Sequence, residues 1–307
     1  MNKDDLPKVA LIAGPTASGK SALALMLAER HGGTVINADS VQAYRDLRIV
    51  TARPSIEEEA RAPHRLFGHV DAADTGYSAA RWASEAREAI DVAVAAASLP
   101  ILVGGTGLYL RTLIDGIAPV PEINPGIRAE VRAMTVSDAY AALQTADPAH
   151  AATLYPTDTT RVARALEVIR ATGRSIAYWR EERVGGIAKR IDLRALILLP
   201  PRDWLVKRID RRFTAMVDDG AMAEVAALIA RKDMPLDAPI RRAIGLPELA
   251  AAALGTITLG DAIERAGLAT RQYAKRQYTW FRNQPPAGWT RTEETDNFIR
   301  LHQFDIK

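Results

Sequence analysis

GPTASGKS at residues 14–21 is the stretch around which the rest of the chain is ordered. It satisfies G-x-x-x-x-G-K-[ST] at every specified position. Its flanks agree with it. Val9-Ala10-Leu11-Ile12-Ala13 is a short apolar run of strand type, and SALALMLAER at residues 21–30 is rich in Ala and Leu, which favour helix. Strand, glycine loop and helix in this order turn consecutive backbone N–H groups toward one anion, and the helix N-terminus adds partial positive charge. Gly14, Pro15, Thr16, Ala17, Ser18 and Gly19 would wrap a di- or triphosphate. Lys20 would add a full charge, and the Ser21 hydroxyl would serve as a Mg²⁺ ligand. The motif specifies a phosphate group but not the molecule that carries it.

Working outward, residues 34–38 (TVINA) form a second strand that ends at Asp39-Ser40. Ligands of an open parallel sheet sit at the carboxyl ends of its strands, which puts Asp39 beside the phosphate loop. A helix cap is the other ordinary use of such an Asp. Residues 100–103 (PILV) form a further buried strand, followed by Gly104-Gly105-Thr106-Gly107, where paired glycines let a ligand or another chain segment come close. P-loop ATPases hold Mg²⁺ with an acid closing a hydrophobic strand. PILVGG has none, and Asp39 is the one obvious acid at a strand end.

From residue 118 onward Pro119, Pro121 and Asn124-Pro125 break the pattern. Helix signals follow at 125–133, 137–144, 148–154 and 159–172, the last opened by Asp158 and closed by Gly173. No strand is expected before residue 192, so residues 122–192 form a helical insertion in a core made of 1–121 and 193–307. The expected class is α/β, a P-loop NTPase-like parallel sheet core with an inserted helical domain. DLRALILLP at 192–200 restores a core strand, and the helix at 203–218 places Arg208 and Arg212 on one face, spaced to grip a phosphate. No acid stands one turn from either, though an acid elsewhere in the fold would serve as partner.

Composition sets the outer bounds. The chain has 307 residues, 48% hydrophobic and 25% charged, as in an ordinary globular protein. It has no cysteine and five histidines, which excludes disulfides, thiolate metal sites and zinc fingers. No run of 18 apolar residues and no signal-type start is present, so a cytoplasmic protein is expected. Net charge is only +3, yet residues 161–212 carry 14 Lys/Arg against 6 Asp/Glu. The segment TRQYAKRQYTWFRN at 270–283 interleaves Arg271, Lys275, Arg276 and Arg282 with Tyr273, Tyr278, Trp280 and Phe281. Such mixing suits RNA, through phosphate contacts and base stacking. A helix that packs its aromatics inward and solvates its bases has the same pattern.

Taken together, GPTASGKS, ADSVQAY (38–44), APHRLFGHVD (62–71), LVGGTGLYLR (102–111), RVARALEV (161–168), RIDRRF (208–213) and TRQYAKRQYTWFR (270–282) resemble the tRNA dimethylallyltransferase family, also called IPP transferases. The resemblance implies transfer of a dimethylallyl group from dimethylallyl diphosphate to N6 of the adenosine 3′ to the anticodon. The tRNAs concerned read codons that begin with U. It also implies a monomer, Mg²⁺, and a P-loop used for diphosphate in place of ATP. By the same resemblance Asp39 matches the general base, Thr106 a threonine near the target base, and Arg212 an arginine that supports the leaving pyrophosphate. Contacts with the tRNA anticodon stem-loop are implied for Asp39, Ser40, Val41, Gln42, Thr106, Arg128, Thr160, Arg161, Val162, Ala163, Arg164, Arg242, Gly245, Lys275, Arg276 and Arg282. The insertion would grip the stem. The chain departs from its relatives at Arg48, Val50 and Arg53, within RIVTARP where many have DIGTAKP, and at Leu246-Pro247, where some have Tyr-Arg. Two other classes explain part of the pattern: an ATP-dependent small-molecule or nucleoside kinase, and an RNA-binding module with a structural anion in its loop.

Overall fold

The computed structural model describes residues 5–304. The strands are β1 Lys8–Ala13, β2 Gly33–Asn37, β3 His64–Arg65, β4 Leu99–Gly104, β5 Asp192–Leu198 and β6 Thr290–Thr292. They make one six-stranded sheet in the order β3-β2-β4-β1-β5-β6. Every pairing is parallel. A parallel sheet is covered on both faces, so its central strands can be apolar throughout. KVALIA and LPILVG are accordingly buried at every position after the first. Because the strands run the same way, their carboxyl ends share one edge. That edge carries the phosphate loop after β1, Asp39 after β2 and Thr106 after β4.

The helices of this unit are α1 Lys20–His31, α2 Ile56–Arg61, α3 Ala79–Ala95 and α4 Gly107–Asp115 before the insertion. The starts are written in the sequence. Ser78 accepts a hydrogen bond from the Arg81 amide to open α3, and Ser55 with Glu58 makes a capping box on α2. Leu23, Leu25 and Leu27 of α1 pack against Ile12 of β1 and Ile101 of β4 in the main core.

Residues 114–186 form a separate compact unit. It contains α5 Pro125–Ala133, α6 Val136–Ala146, α7 Pro148–Ala151, α8 Thr159–Thr172 and α9 Ile176–Glu181. Asp158 caps α8 through the Arg161 amide, and Gly173 ends it in the left-handed conformation. Val162, Leu166 and Val168 join Leu143 and Val131 in this unit's own core. Its limits are displaced from the 122–192 expected from proline positions. Residues 117 and 184 pair as an antiparallel bridge, which draws both ends of the insertion together below the prolines. Residues 187–192 belong to the sheet unit: the Ile187 amide donates to Leu113 O, and the Asp192 amide donates to Pro7 O.

The chain returns through α10 Arg202–Asp218, α11 Ala221–Ile229, α12 Leu246–Ala253 and the 25-residue α13 Leu259–Asn283, opened by the Thr258/Asp261 capping box. Beyond it, β6 joins the sheet edge and α14 Asn297–His302 packs beside α1, neither foreseen from sequence.

Candidate active site

The phosphate loop is held in shape from three sides. Arg212 of α10 donates from Nη2 to Thr16 Oγ1 at 2.7 Å, and Arg208 donates from Nε to Ala17 O at 3.1 Å. Among the described residues neither guanidinium lies within ion-pair distance of a carboxylate, so this helical face is turned to the loop and not to a surface acid. On a third side, Gln277 of α13 accepts from the Thr16 amide at 2.8 Å and donates to Gly105 O at 2.9 Å. The loop does not offer all its amides to one anion, as the motif suggested: Thr16 N–H is committed to Gln277. A trans peptide sets its C=O and N–H in opposite directions. Pro15 O accepts from Lys20 Nζ at 2.8 Å, which turns the following Thr16 N–H away toward α13.

Gln277 was not singled out by its sequence position, since an amide on a basic aromatic helix carries no signal until the fold is known. It is 5% exposed, and it bridges two backbone groups, the Thr16 amide and Gly105 O, besides its contact with the Tyr273 side chain. Gln277→Leu is expected to lower unfolding stability by about 1–3 kcal/mol, because two buried groups lose their partner. A urea midpoint unchanged from wild type would contradict this.

Asp39 occupies the turn after β2. Its amide donates to Asn37 Oδ1 at 2.7 Å, and its Oδ1 accepts from the Val41 amide at 3.2 Å, so the aspartate is held by backbone and does not cap a helix. Thr106 stands behind this turn. Its Oγ1 accepts from the Ser40 amide at 3.0 Å and faces the Ser40 hydroxyl at 3.3 Å. Gly104 and Gly105 are the close approach that admits these contacts. A Cβ on Gly104 would lie 2.2 Å from Ala38 O, and one on Gly105 would lie 2.3 Å from Gln277 Nε2. The two glycines let chain meet chain.

A cavity of about 1010 Å³ joins these groups. Thr16, Ala17, Gly19, Lys20 and Ser21 line one part, with Arg208 and Arg212 beside them; Asp39, Ser40, Val41 and Gln42 line another, and Tyr273, Arg276 and Arg242 a third. Gly14, Pro15, Ser18, Thr106, Gly245, Lys275 and Arg282 lie outside its lining. Electrostatics make the cavity strongly cationic. Burial pulls the Lys20 ammonium down to about 8, with Asp39 opposing and Arg212 adding to the fall. Burial also brings Arg212 down to about 10, assisted by Arg208 and opposed by Asp39. A guanidinium at that value remains charged at neutral pH. Asp39 moves the other way. Burial raises its carboxyl, with Lys20, the Val41 amide and Arg212 holding the rise in check.

The expected RNA-facing residues divide. On α13 Phe281 is fully buried, the Tyr278 hydroxyl donates to Leu199 O at 3.3 Å, Trp280 packs against Gly107, and Tyr273 lines the cavity. Lys275, Arg276 and Arg282 are exposed, as is Arg242, and among the described residues none of the four enters an ion pair. In the helical unit Arg128 and Thr160 are exposed, whereas Arg161 pairs with Asp158 and Arg164 with buried Glu167. Val162 is wholly buried in that unit's core, so its side chain has no route to a ligand; Ala163 is partly exposed.

The departures from the family pattern have structural partners. Arg48 donates to Pro54 O and pairs with Glu59 at 3.2 Å. Glu224 of α11 receives the successive amides of Arg48, Ile49 and Val50, and so pins the segment after Asp39 to α11. Arg53 Nη1 donates to Tyr44 O at 3.1 Å and lines the cavity. Leu246 and Pro247 open α12 immediately after Gly245.

The six-stranded parallel sheet and the cation-lined loop at its carboxyl edge define a P-loop α/β protein. The profile of the IPP transferase family matches residues 42–284, and the chain belongs to that family. It is 60% identical over 300 residues to a tRNA dimethylallyltransferase of Sphingopyxis alaskensis, covering 97% of each chain. It is 49% identical over 310 residues to one of Zymomonas mobilis, covering 100% of this chain and 99% of that one. Among solved structures it is similar to the tRNA isopentenylpyrophosphate transferase of Bacillus halodurans, with TM-score 0.69, 34% identity and coverage of 96% and 93%. It is also similar to a eukaryotic dimethylallyltransferase described as acting on tRNA, with TM-score 0.77, 31% identity and coverage of 89% and 69%.

Proposed function

We propose that this chain is a tRNA dimethylallyltransferase, moving a dimethylallyl group from dimethylallyl diphosphate to N6 of the adenosine 3′ to the anticodon. The observation that carries this is one cavity holding both a cation-lined phosphate loop and the backbone-anchored carboxylate of Asp39. N6 attacks the allylic carbon, the C–O bond to diphosphate breaks, and Asp39 takes the N6 proton. Burial raises the carboxyl of Asp39, which makes its ionised form a stronger base than a solvated aspartate. Lys20 and Arg212 face charge growing on the departing diphosphate, and such donors contribute a few kcal/mol each. Thr106 steadies the Asp39-Ser40 turn through the Ser40 amide.

The donor set suits Mg²⁺. Ser21 offers an exposed hydroxyl at the first turn of α1, within the cavity lining. No cluster of three His, Cys, Asp or Glu able to hold a metal occurs among the described residues. Mg²⁺ characteristically keeps its waters and binds through one or two protein groups plus substrate phosphates, which matches a lone hydroxyl beside a diphosphate cradle. The ion would neutralise diphosphate charge.

Arg242, Lys275, Arg276 and Arg282, exposed and outside any ion pair among the described residues, supply a phosphate-binding surface, and Arg128 and Thr160 are exposed on the helical unit taken by itself. The same reading makes the enzyme a cytoplasmic monomer. No helix among the described residues is long and apolar enough to cross a membrane.

The test is incubation with unmodified tRNA and dimethylallyl diphosphate, then nucleoside mass measurement. Gain of one dimethylallyl unit on adenosine is expected; ATP consumption with a free nucleoside and no tRNA would instead favour a kinase. Replacing Lys275, Arg276 and Arg282 together by Ala should weaken tRNA binding and flatten its dependence on salt by about three counterions. An unchanged log–log salt slope would remove this face from the RNA surface.

A further inference from the structure

The short helix α14 is turned the wrong way round for its composition. In NFIRLH, Phe298 and Ile299 are 70% and 51% exposed, while Arg300 is 1% exposed. Apolar side chains ordinarily take the inside and a buried guanidinium is costly unless its donors are used. Arg300 points beneath the phosphate loop. Its Nη1 donates to Ser18 O at 3.0 Å and to Asn297 Oδ1 at 2.9 Å, its Nε donates to Glu294 O at 2.7 Å, and its buried Nη2 has no partner among the described residues. The Gly19 backbone is close enough that a Cβ there would lie 2.9 Å from Nη1, and Gly19 holds the left-handed conformation, with φ +92°.

We infer that Arg300 is a positioning residue for the diphosphate: by holding Ser18 O below the loop it turns the Gly19 N–H up into the cavity as an anion donor. The step from one atom to the other is covalent geometry. The Ser18–Gly19 peptide is trans, as are all peptides of the described chain. Its C=O and N–H therefore point in opposite directions, and fixing the first fixes the second. Gly19 lines the cavity at the start of α1, and no hydrogen bond claims its amide among the described residues. The Thr16 amide is directed away by the same geometry, so Gly19 belongs to the smaller set of loop amides left for the ligand. Arg300 also adds buried positive charge below the loop, where Gly19, Lys20, Arg208 and Arg212 line the cavity.

This inference rests on the loop holding the diphosphate of the proposed reaction, and pyrophosphate is the probe that separates the two. Calorimetric titration of pyrophosphate onto the full chain should give a Kd that rises about tenfold in Arg300→Met, the scale of one charge-assisted hydrogen bond. Arg300→Lys, which keeps a donor, should recover part of that loss. The tRNA Kd should be the same in all three proteins. In wild type, the Gly19 amide resonance should move downfield on adding pyrophosphate. A folded Arg300→Met that binds pyrophosphate as tightly as wild type, with only a lower Tm, would reduce Arg300 to a helix anchor and overturn the inference. If the variants do not fold, a Gly19 resonance unmoved by bound pyrophosphate overturns it. A wild type that binds no pyrophosphate overturns the proposed reaction, and this inference with it.

Discussion

Asp39→Asn is expected to slow dimethylallyl transfer by about 10²–10⁴-fold in single turnover, the range of a positioned general base. The substitution is conservative in shape. An amide oxygen still accepts from the Val41 amide, and the Asn37 and Ser40 contacts are made by backbone. Affinity for tRNA should therefore change little, and the loss should fall on the chemical step. The pH dependence follows from the direction of the shift. Burial raises the carboxyl of Asp39, and only the ionised form accepts the N6 proton. Activity is thus full above the raised value and is lost as pH falls through it, at a pH above the ordinary aspartate range. The asparagine variant should have no acid limb. A variant that keeps the acid limb, or that loses tRNA binding and rate in equal measure, would remove Asp39 from the base role.

Lys20→Met carries the second large effect, a loss of about 10²–10³ in kcat, the size seen when one charge-stabilising donor is removed from a dry site. Lys20 is drawn down to about 8 by burial, so in the free enzyme its ammonium begins to deprotonate close to neutrality. The protonated form is the one that faces the diphosphate. The kcat/KM for dimethylallyl diphosphate should then fall as pH rises through about 8. Bound diphosphate stabilises the ammonium, so the limb in kcat should lie higher than the limb in kcat/KM. A kcat/KM profile that is flat through this region, with wild-type kcat in Lys20→Met, would contradict the assignment.

The sheet edge was legible because its signals are local. The phosphate loop, the Asp39 turn, the Ser78 cap, and the Asp158 and Gly173 ends of α8 each announce themselves within a few residues. The pair Arg208 and Arg212 was legible for a related reason: one turn of helix fixes which way both point. What escaped depends on distant partners. β6 is TRT, three residues without an apolar alternation, and only the neighbouring β5 makes it a strand. Gln277 matters through Thr16 and Gly105, and Glu224 through three amides near residue 49. α14 reverses the usual rule, so composition would have sent Phe298 and Ile299 inward and Arg300 out. The aromatic residues of α13 were ambiguous by nature, since core packing and base stacking ask for the same side chains. The fold resolves that ambiguity for Phe281, which is wholly enclosed.

The contact between Arg300 and Ser18 spans 282 residues of chain. During synthesis the loop leaves the ribosome long before its underside support exists. At about 5–20 residues per second that interval is on the order of 15–60 seconds. The nascent chain can close the sheet between β1, β2 and β4 in that time, yet its anion pocket lacks this brace until Arg300 itself has been made. The shape of the pocket floor is thereby tied to a residue synthesised 282 positions after the loop it supports.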